Sequence, residues 1–353
     1  MPNPQQTPRE LGYHMPAEWE PHSAIWLSWP YDTTSFPQLE KAEAAFAGFV
    51  REICGSEPAQ LQVRNDEMKE RAGRILEREG ADLRRIHFFT GDYADIWFRD
   101  YGPIFVVNRG VANRSDRRLA MVKWTFNSWG NKYDVLLKDN RVPYAMNESL
   151  GLPIFEPGIV LEGGSIDVNG CGTVLTTEQC LLHPNRNPGL RKEDLERYLN
   201  DYLGASHVIW LKDGIEGDDT DGHIDDIARF VNQTTVVCAY QNDKSDPDHQ
   251  TLRANYELLL RSTDQDGNKL NVVQLPTPGR IGDDEGRLPA SYANFYIGNT
   301  KVVAPLFGAP NDAGALEVLQ SVFPGRTVVG VNAYYLVFGF GTFHCMSQQQ
   351  PTV

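Results

Sequence analysis

The chain has 353 residues, 41% of them hydrophobic, and carries 33 basic against 47 acidic side chains for a formal charge of −14. That length exceeds most single cores, so two domains or one domain built from internal repeats is expected. The acidic balance argues against nucleic-acid binding, which needs clustered Lys and Arg, and favours the approach of small cations.

No run of 18 apolar residues occurs, so a membrane-spanning helix is not expected. Residues 1–20 are rich in Pro, Gln and charge and do not read as a signal peptide. The helical spacing of apolar residues predicts a helix over 39–54. Residues 95–107 form a loose version of a pattern that recurs later: an apolar β-rich segment, a tight Gly/Asn turn, and a second apolar segment. Clear copies lie at 165–176, 227–238 and 294–305, and each reads as a hairpin. Between them, 190–203 and 252–260 have helical periodicity, and Asp312 opens another capped helix. Residues 109–118 and 264–269 read as exposed loops. Self-similarity at a period near 60 residues, with no low-complexity linker, predicts an α/β chain of about five repeats arranged radially, like a propeller, as a single domain over 1–353.

Polar residues able to do chemistry fall about one per repeat. Asp100, Glu162, His223 with Asp225, Asn294 and Cys345 are spaced by 62, 61, 71 and 51 residues. Most stand at or just before the start of a hairpin strand, positions that a radial fold brings to one central cavity. Cys345 lies between a segment with two glycines, Gly339 and Gly341, and a polar Ser-Gln-Gln-Gln run that is unusual for a core strand. On this segment alone it is a nucleophile or a small buried hydrophobe. The other cysteines, Cys54, Cys171, Cys180 and Cys238, read as structural. An odd number of cysteines without a CxxC pair argues against a disulfide framework or zinc ribbon and for a reducing, cytoplasmic setting.

The segment 218–226 holds five carboxylates and one histidine in nine residues. Its spacing does not match a calcium-binding EF-hand loop. The alternation of His223 and Asp225 would turn both to one side, pairing a general acid/base with a cation-binding carboxylate; a solvated acidic turn is the plainer alternative. Glu162 follows an apolar run and precedes two glycines, so it needs a partner if buried, with histidine the natural one. Asp100 sits among Trp97, Phe98 and Tyr101. A carboxylate beside aromatic faces suits a guanidinium, although an Arg99–Asp100 turn pair would also explain it.

Taken together, Met15–His22, Trp97–Pro103, Leu161–Ser165, Thr176–Leu182, Asp221–Asp225 and His344–Pro351 closely resemble the agmatine deiminase family, which includes the bacterial peptidyl-arginine deiminases. The resemblance runs from about residue 13 to 351. It implies a five-bladed α/β propeller of the guanidino-modifying superfamily. In it, Cys345 is the nucleophile, His223 the acid/base and Glu162 the partner of that histidine. Asp100 and Asp225 clamp the guanidinium, and Trp97 and Asn294 line the site. It further implies agmatine as substrate, N-carbamoylputrescine and ammonia as products, a place in putrescine biosynthesis, and no metal or organic cofactor. One departure is visible. The family's triple glycine and Asn-Ile before His-Cys are replaced by Gly339-Phe-Gly341 and Thr342-Phe343, so Phe340 and Phe343 are expected to reshape the pocket mouth.

The nearest rival is peptidyl-arginine or free-arginine deimination; no cation is assignable to a free substrate carboxylate. A non-catalytic propeller acting as an interaction module would not need the full set of site residues. A cysteine protease would need an oxyanion hole where the paired carboxylates would repel it. The oligomeric state is not set by the sequence, and a homodimer is compatible with it.

Overall fold

The computed structural model describes residues 6–110, 118–283 and 286–353. The short Val/Ile/Leu/Thr-rich runs become strands, gathered into five small sheets. Four sheets repeat one pattern. Ile104–Val107, Asp167–Val168, Ala228–Phe230 and Tyr296–Ile297 each begin a sheet. Each pairs antiparallel with its next strand: Leu119–Val122, Thr173–Thr177, Thr235–Tyr240 and Lys301–Leu306, respectively. The third strands, Ile154–Phe155, His207–Leu211, Asn271–Pro276 and Thr327–Asn332, run parallel to the second. A parallel return needs a crossover, and helices Val142–Leu150, Lys192–Leu203, Asp248–Leu259 and Asp312–Val322 lie in those connections.

The first sheet shows how the chain's ends meet. His22–Ser28, Ala59–Val63 and Ile86–Thr90 are parallel, connected through helices Leu39–Cys54 and Asp66–Arg78. The antiparallel partner of His22–Ser28 is the C-terminal strand Ser347–Pro351, with Trp26 opposite Gln348. The polar run after Cys345 is therefore a buried strand. Its glutamines are usable there because the interior holds partners for them: Gln348 accepts from Arg99 (2.9 Å) and Gln350 from the Trp26 indole (2.8 Å). The fold is mixed α/β, and no described helix is long and apolar enough to cross a membrane.

The three clear hairpins form where expected, and so do the helices, with ends shifted by a few residues. Residues 95–107 differ. Phe98–Tyr101 is a helical turn, and the strand that follows it, Ile104–Val107, pairs with Leu119–Val122 across the predicted loop. Residues 111–117 of that loop lie outside the described residues. Asp312 is the first helical residue rather than the cap, and its carboxylate accepts the Gly308 and Ala309 N–H groups of the preceding loop. Asp264 in the second predicted loop is buried and accepts from the backbone of Asp266 and Asn268. Helices Asp66–Arg78 and Val142–Leu150 were not foreseen.

Beneath the strand ends runs a buried ion cluster. Glu18 accepts from Arg99 (3.1 Å), His344 (2.8 Å) and Arg229, and Arg229 also pairs with Asp167. Burial pushes the Glu18 carboxyl up, but Arg229, His344 and Arg99 outweigh it and hold the group well below its usual range. One carboxylate thus ties together Arg99 in the turn before Ile104–Val107, Arg229 on Ala228–Phe230 and His344 just before Ser347–Pro351. Removing one member strands buried guanidinium charge. Glu18→Ala should cost about 3–5 kcal/mol of unfolding free energy, measured by urea denaturation.

Candidate active site

Each proposed site residue precedes the first strand of a sheet, or the strand that closes the first sheet. Asp100 stands before Ile104–Val107, Glu162 before Asp167–Val168, and His223 and Asp225 before Ala228–Phe230. Asn294 stands before Tyr296–Ile297, and Cys345 before Ser347–Pro351. The residues meet. Asn294 Nδ2 lies 2.9 Å from Cys345 Sγ, which lies 3.5 Å from Asp225 Oδ2. His223 Nδ1 is 3.7 Å from Asp100 Oδ1. His223 and Asp225 do not alternate along a strand, because Ile224–Asp226 is a 3-10 turn. That turn nevertheless sets His223 beside Asp100 and Asp225 beside Cys345.

Close approach requires glycines here. A Cβ on Gly164 would lie 2.6 Å from His223 Nδ1 and 2.8 Å from Asp100 Oδ1. One on Gly341 would lie 2.7 Å from the Trp97 ring and 2.9 Å from Cys345 Cβ. The resulting cavity of about 190 Å³ is lined by Cys345, Asp100, Trp97, Trp129, Phe340 and the acidic side chains of Asp32, Asp95 and Asp219, among others. Phe340 stands at its mouth, 41% exposed, with a left-handed φ of 71°. Phe343 does not reach the mouth. It is fully buried and stacks on Phe49 with centroids 4.8 Å apart.

The charges are distributed unequally. Burial pushes Asp225 up, but the hydrogen bond to His344 Nδ1 (2.7 Å) and the electrostatic pull of His344 and Arg229 hold it below its usual range. Both His344 nitrogens face carboxylates, Nδ1 that of Asp225 (2.7 Å) and Nε2 that of Glu18 (2.8 Å). Glu162 accepts from Arg186 Nε (2.7 Å); burial raises its carboxyl and Arg186 opposes this.

Asp100 is treated differently. Its two oxygens accept from the Gly164 amide and the Trp129 indole, both at 2.9 Å. Burial, then the nearby Asp225 and Glu162 charges, push it well above the usual carboxylate range. Asp226 is likewise raised, by burial and by Asp225, and accepts from Asn294 Nδ2 (3.1 Å).

Two expectations need correction. Glu162 makes no hydrogen bond to His223. One of its oxygens is taken by Arg186, and its other oxygen and both His223 nitrogens have no hydrogen-bond partner among the described residues. Burial pushes the His223 ring down to about 3, so it is neutral in the free site. The acidic segment is not a solvated turn. Asp218 accepts the Gly222 N–H (2.8 Å), and Asp221 pairs with Arg186 (2.7 Å) and Lys132 (3.0 Å). Nor is there an Arg99–Asp100 pair, because Arg99 is committed to Glu18, Gln348 and the His344 carbonyl.

Sequence reasoning missed Glu18, Trp129, Arg186 and the bridging role of His344. Only the placement of Glu18 and His344 inside quoted motifs hinted at them. Glu162, Cys180 and His223 bring possible metal-ligand atoms within 4.8 Å of one another, as do Asp225, Asp226 and Cys345. Arg186, already paired with Glu162, sets a cation beside the first group.

Burial pushes the Cys345 thiol well above its ordinary range; Asp225, Asp226 and Asp100 add to this and the Asn294 amide opposes it. The free site therefore holds a thiol. The ultraviolet thiolate absorbance that distinguishes the protein from Cys345→Ser should rise only above about pH 9. Saturating alkylguanidinium should move that step to lower pH, because a cation favours the thiolate.

A buried thiol in an acidic, aromatic-walled cavity, inside an α/β chain of five sheets, defines the class. The chain matches the model for the Porphyromonas-type peptidyl-arginine deiminases over residues 14–351 and belongs to that family. It is similar to a Medicago truncatula protein named agmatine deiminase, 37% identical over 99% of each chain. Its structure is similar to that of the agmatine deiminase of Enterococcus faecalis, with a TM-score of 0.88, 34% identity and 98% of each chain covered. It is also similar to C. jejuni agmatine deiminase, with a TM-score of 0.84, 30% identity and 96% of each chain covered.

Proposed function

We propose that the protein is an agmatine deiminase, hydrolysing the guanidinium of agmatine to N-carbamoylputrescine and ammonia in putrescine biosynthesis. The supporting observation is that Asp100 is buried beside the thiol with only neutral N–H donors on its oxygens. A guanidinium supplies the cation this carboxylate lacks and the planar N–H pairs it can accept. The five sheets, four of them with one shared strand pattern, are read as a five-bladed propeller forming one catalytic domain. Five free cysteines suit a cytoplasmic setting.

Asp100 and Asp225 grip the guanidinium nitrogens and hold its carbon against Cys345 Sγ, and Trp97 covers the plane. Such positioning supplies roughly 7–11 kcal/mol of a barrier in favourable cases. The bound cation lowers the cost of the thiolate, and the thiol proton passes to the neutral His223. Sulfur adds to the guanidinium carbon to give a tetrahedral intermediate, and Asn294 Nδ2 holds the sulfur in line. His223 gives its proton to the departing nitrogen, and ammonia leaves a thiouronium on Cys345. His223 next takes a proton from water, the hydroxide adds to the same carbon, and collapse breaks the C–S bond. The ureido product departs and the thiol re-forms. Glu162, neutralised by Arg186, shapes the wall behind His223.

The family's description includes peptidyl-arginine, and free arginine shares the reacting group. Among the residues lining the cavity there is no Lys or Arg to receive a substrate carboxylate, whereas Asp32, Asp95 and Asp219 suit a terminal amine. The cavity volume suits a small molecule. Ammonia release should therefore be at least tenfold faster in kcat/KM for agmatine than for arginine or a peptidyl-arginine; equal rates on all three would leave only the reaction class standing.

Cys345→Ala should abolish ammonia release in a protein that keeps its melting temperature, and retained turnover would remove the thiol from the mechanism. Asp100→Asn should lower kcat/KM by about a hundredfold or more, through loss of a charge-assisted contact. An unchanged kcat/KM would remove the clamp.

A further inference from the structure

One wall of the cavity is carried by an unusual piece of backbone. Ser128, Trp129, Gly130 and Asn131 have φ of 56°, 51°, 93° and 61°, four consecutive residues in the left-handed region. L side chains crowd the following carbonyl there, so such a run persists only where its surroundings over-determine it. They do. Asn127 accepts the Gly130 N–H (2.9 Å) and donates to the Asn185 carbonyl (2.9 Å). Ser128 Oγ donates to the Tyr133 carbonyl (2.8 Å), and Lys132 reaches Asp221 (3.0 Å). Gly130 is packed so closely that a Cβ would lie 2.2 Å from the Asn185 side chain. The result of this strain is specific: the Trp129 indole enters the cavity edge-on to Phe126 and places Nε1 2.9 Å from Asp100 Oδ2.

We infer that Trp129 is a positioning residue of the deimination proposed above, its indole N–H turning Asp100 so that both carboxylate oxygens face the guanidinium. The inference rests on that reading. Each carboxylate oxygen has two lone-pair sites. The Gly164 amide occupies one site on Oδ1 and the Trp129 indole one on Oδ2. One site on each oxygen remains, the pattern needed for two parallel N–H donors.

The same contact bears on protonation. Asp100 is raised by burial and by Asp225 and Glu162, and the indole and the Gly164 amide oppose this. The other ionisable groups around it are the neutral His223, Asp226 and Cys345, with Arg186 beyond Glu162. Without the indole N–H the carboxyl would hold its proton to higher pH. A protonated carboxyl cannot accept the paired N–H groups, so activity would be lost over a wider acidic range.

The test replaces Trp129 with Phe and, separately, with 3-benzothienylalanine, which keeps the bicyclic shape and lacks only the N–H. The isostere serves if the Phe protein does not fold. Agmatine kcat/KM is measured across pH. The expected result is a loss of about ten- to a hundredfold near pH 7 in both proteins, the usual effect of removing a hydrogen bond to a charged group. The acid limb should move up by about one pH unit. An unmoved acid limb in the isosteric protein overturns the inference, whatever its rate, because a wall that merely packs would leave the limb in place. A natural protein that releases ammonia from no guanidine overturns the underlying reading instead.

Discussion

The site is governed by one imbalance: the cavity buries more carboxylates than it supplies cations. Asp225 has His344 and Glu162 has Arg186. Asp100 and Asp226 have only neutral donors, and both are pushed well above the usual carboxylate range. Burial is the largest cause of each shift, and the neighbouring negative charges add to it. Burial, helped by those carboxylates, keeps Cys345 a thiol, and burial keeps His223 uncharged against the pull of Asp225 and Asp221. Cys345 and Asp100 thus rest in protonated forms that a cation would change together. A guanidinium entering the cavity would ionise Asp100, favour the thiolate and complete the charge balance in one event. Specificity for a cation and activation of the nucleophile then share one physical cause.

The frame that maintains this imbalance is itself electrostatic. Glu18 lies below the strand ends and joins Arg99, Arg229 and His344. His344 links that cluster upward to Asp225, beside Cys345. Buried ion clusters add little net stability against a well-packed apolar alternative, but they fix geometry, since any displacement leaves a charge unpaired. Here the cluster sets the backbone of the residue next to the nucleophile. The close-packed glycines do complementary work, letting Trp97 and His223 approach where any side chain would hold them off.

Much of this was legible in the chain. The hairpins at 165–176, 227–238 and 294–305 follow from β-rich runs around Gly/Asn turns, and local chemistry decides them. The spacing of Asp100, Glu162, His223, Asn294 and Cys345 pointed to one polar group before each first strand, and the structure places them there, with Asp100 and Cys345 lining the cavity and Asn294 and His223 against them. Residues 95–107 were misread because their aromatic and apolar content hides a helical turn whose ends are pinned by distant partners. Arg99 N donates to the Cys345 carbonyl and Tyr101 OH pairs with Ser28, contacts that no local window contains. Phe343 was placed at the mouth with Phe340, although only one of them faces it. Phe343 is drawn into the core by Phe49, nearly 300 residues earlier in the chain.

By itself the sequence determined the secondary-structure rhythm, the α/β class and the candidate polar residues that precede the strands, because these depend on periodicity, turn residues and side-chain type. Tertiary structure alone decided which charge belongs to which partner. Arg186, and not His223, pairs with Glu162; His344 bridges Glu18 and Asp225; Trp129 reaches Asp100 from a left-handed turn. Those pairings join residues up to 326 positions apart. They depend on burial, which sets how strongly each charge is felt, and burial exists only once the sheets have packed.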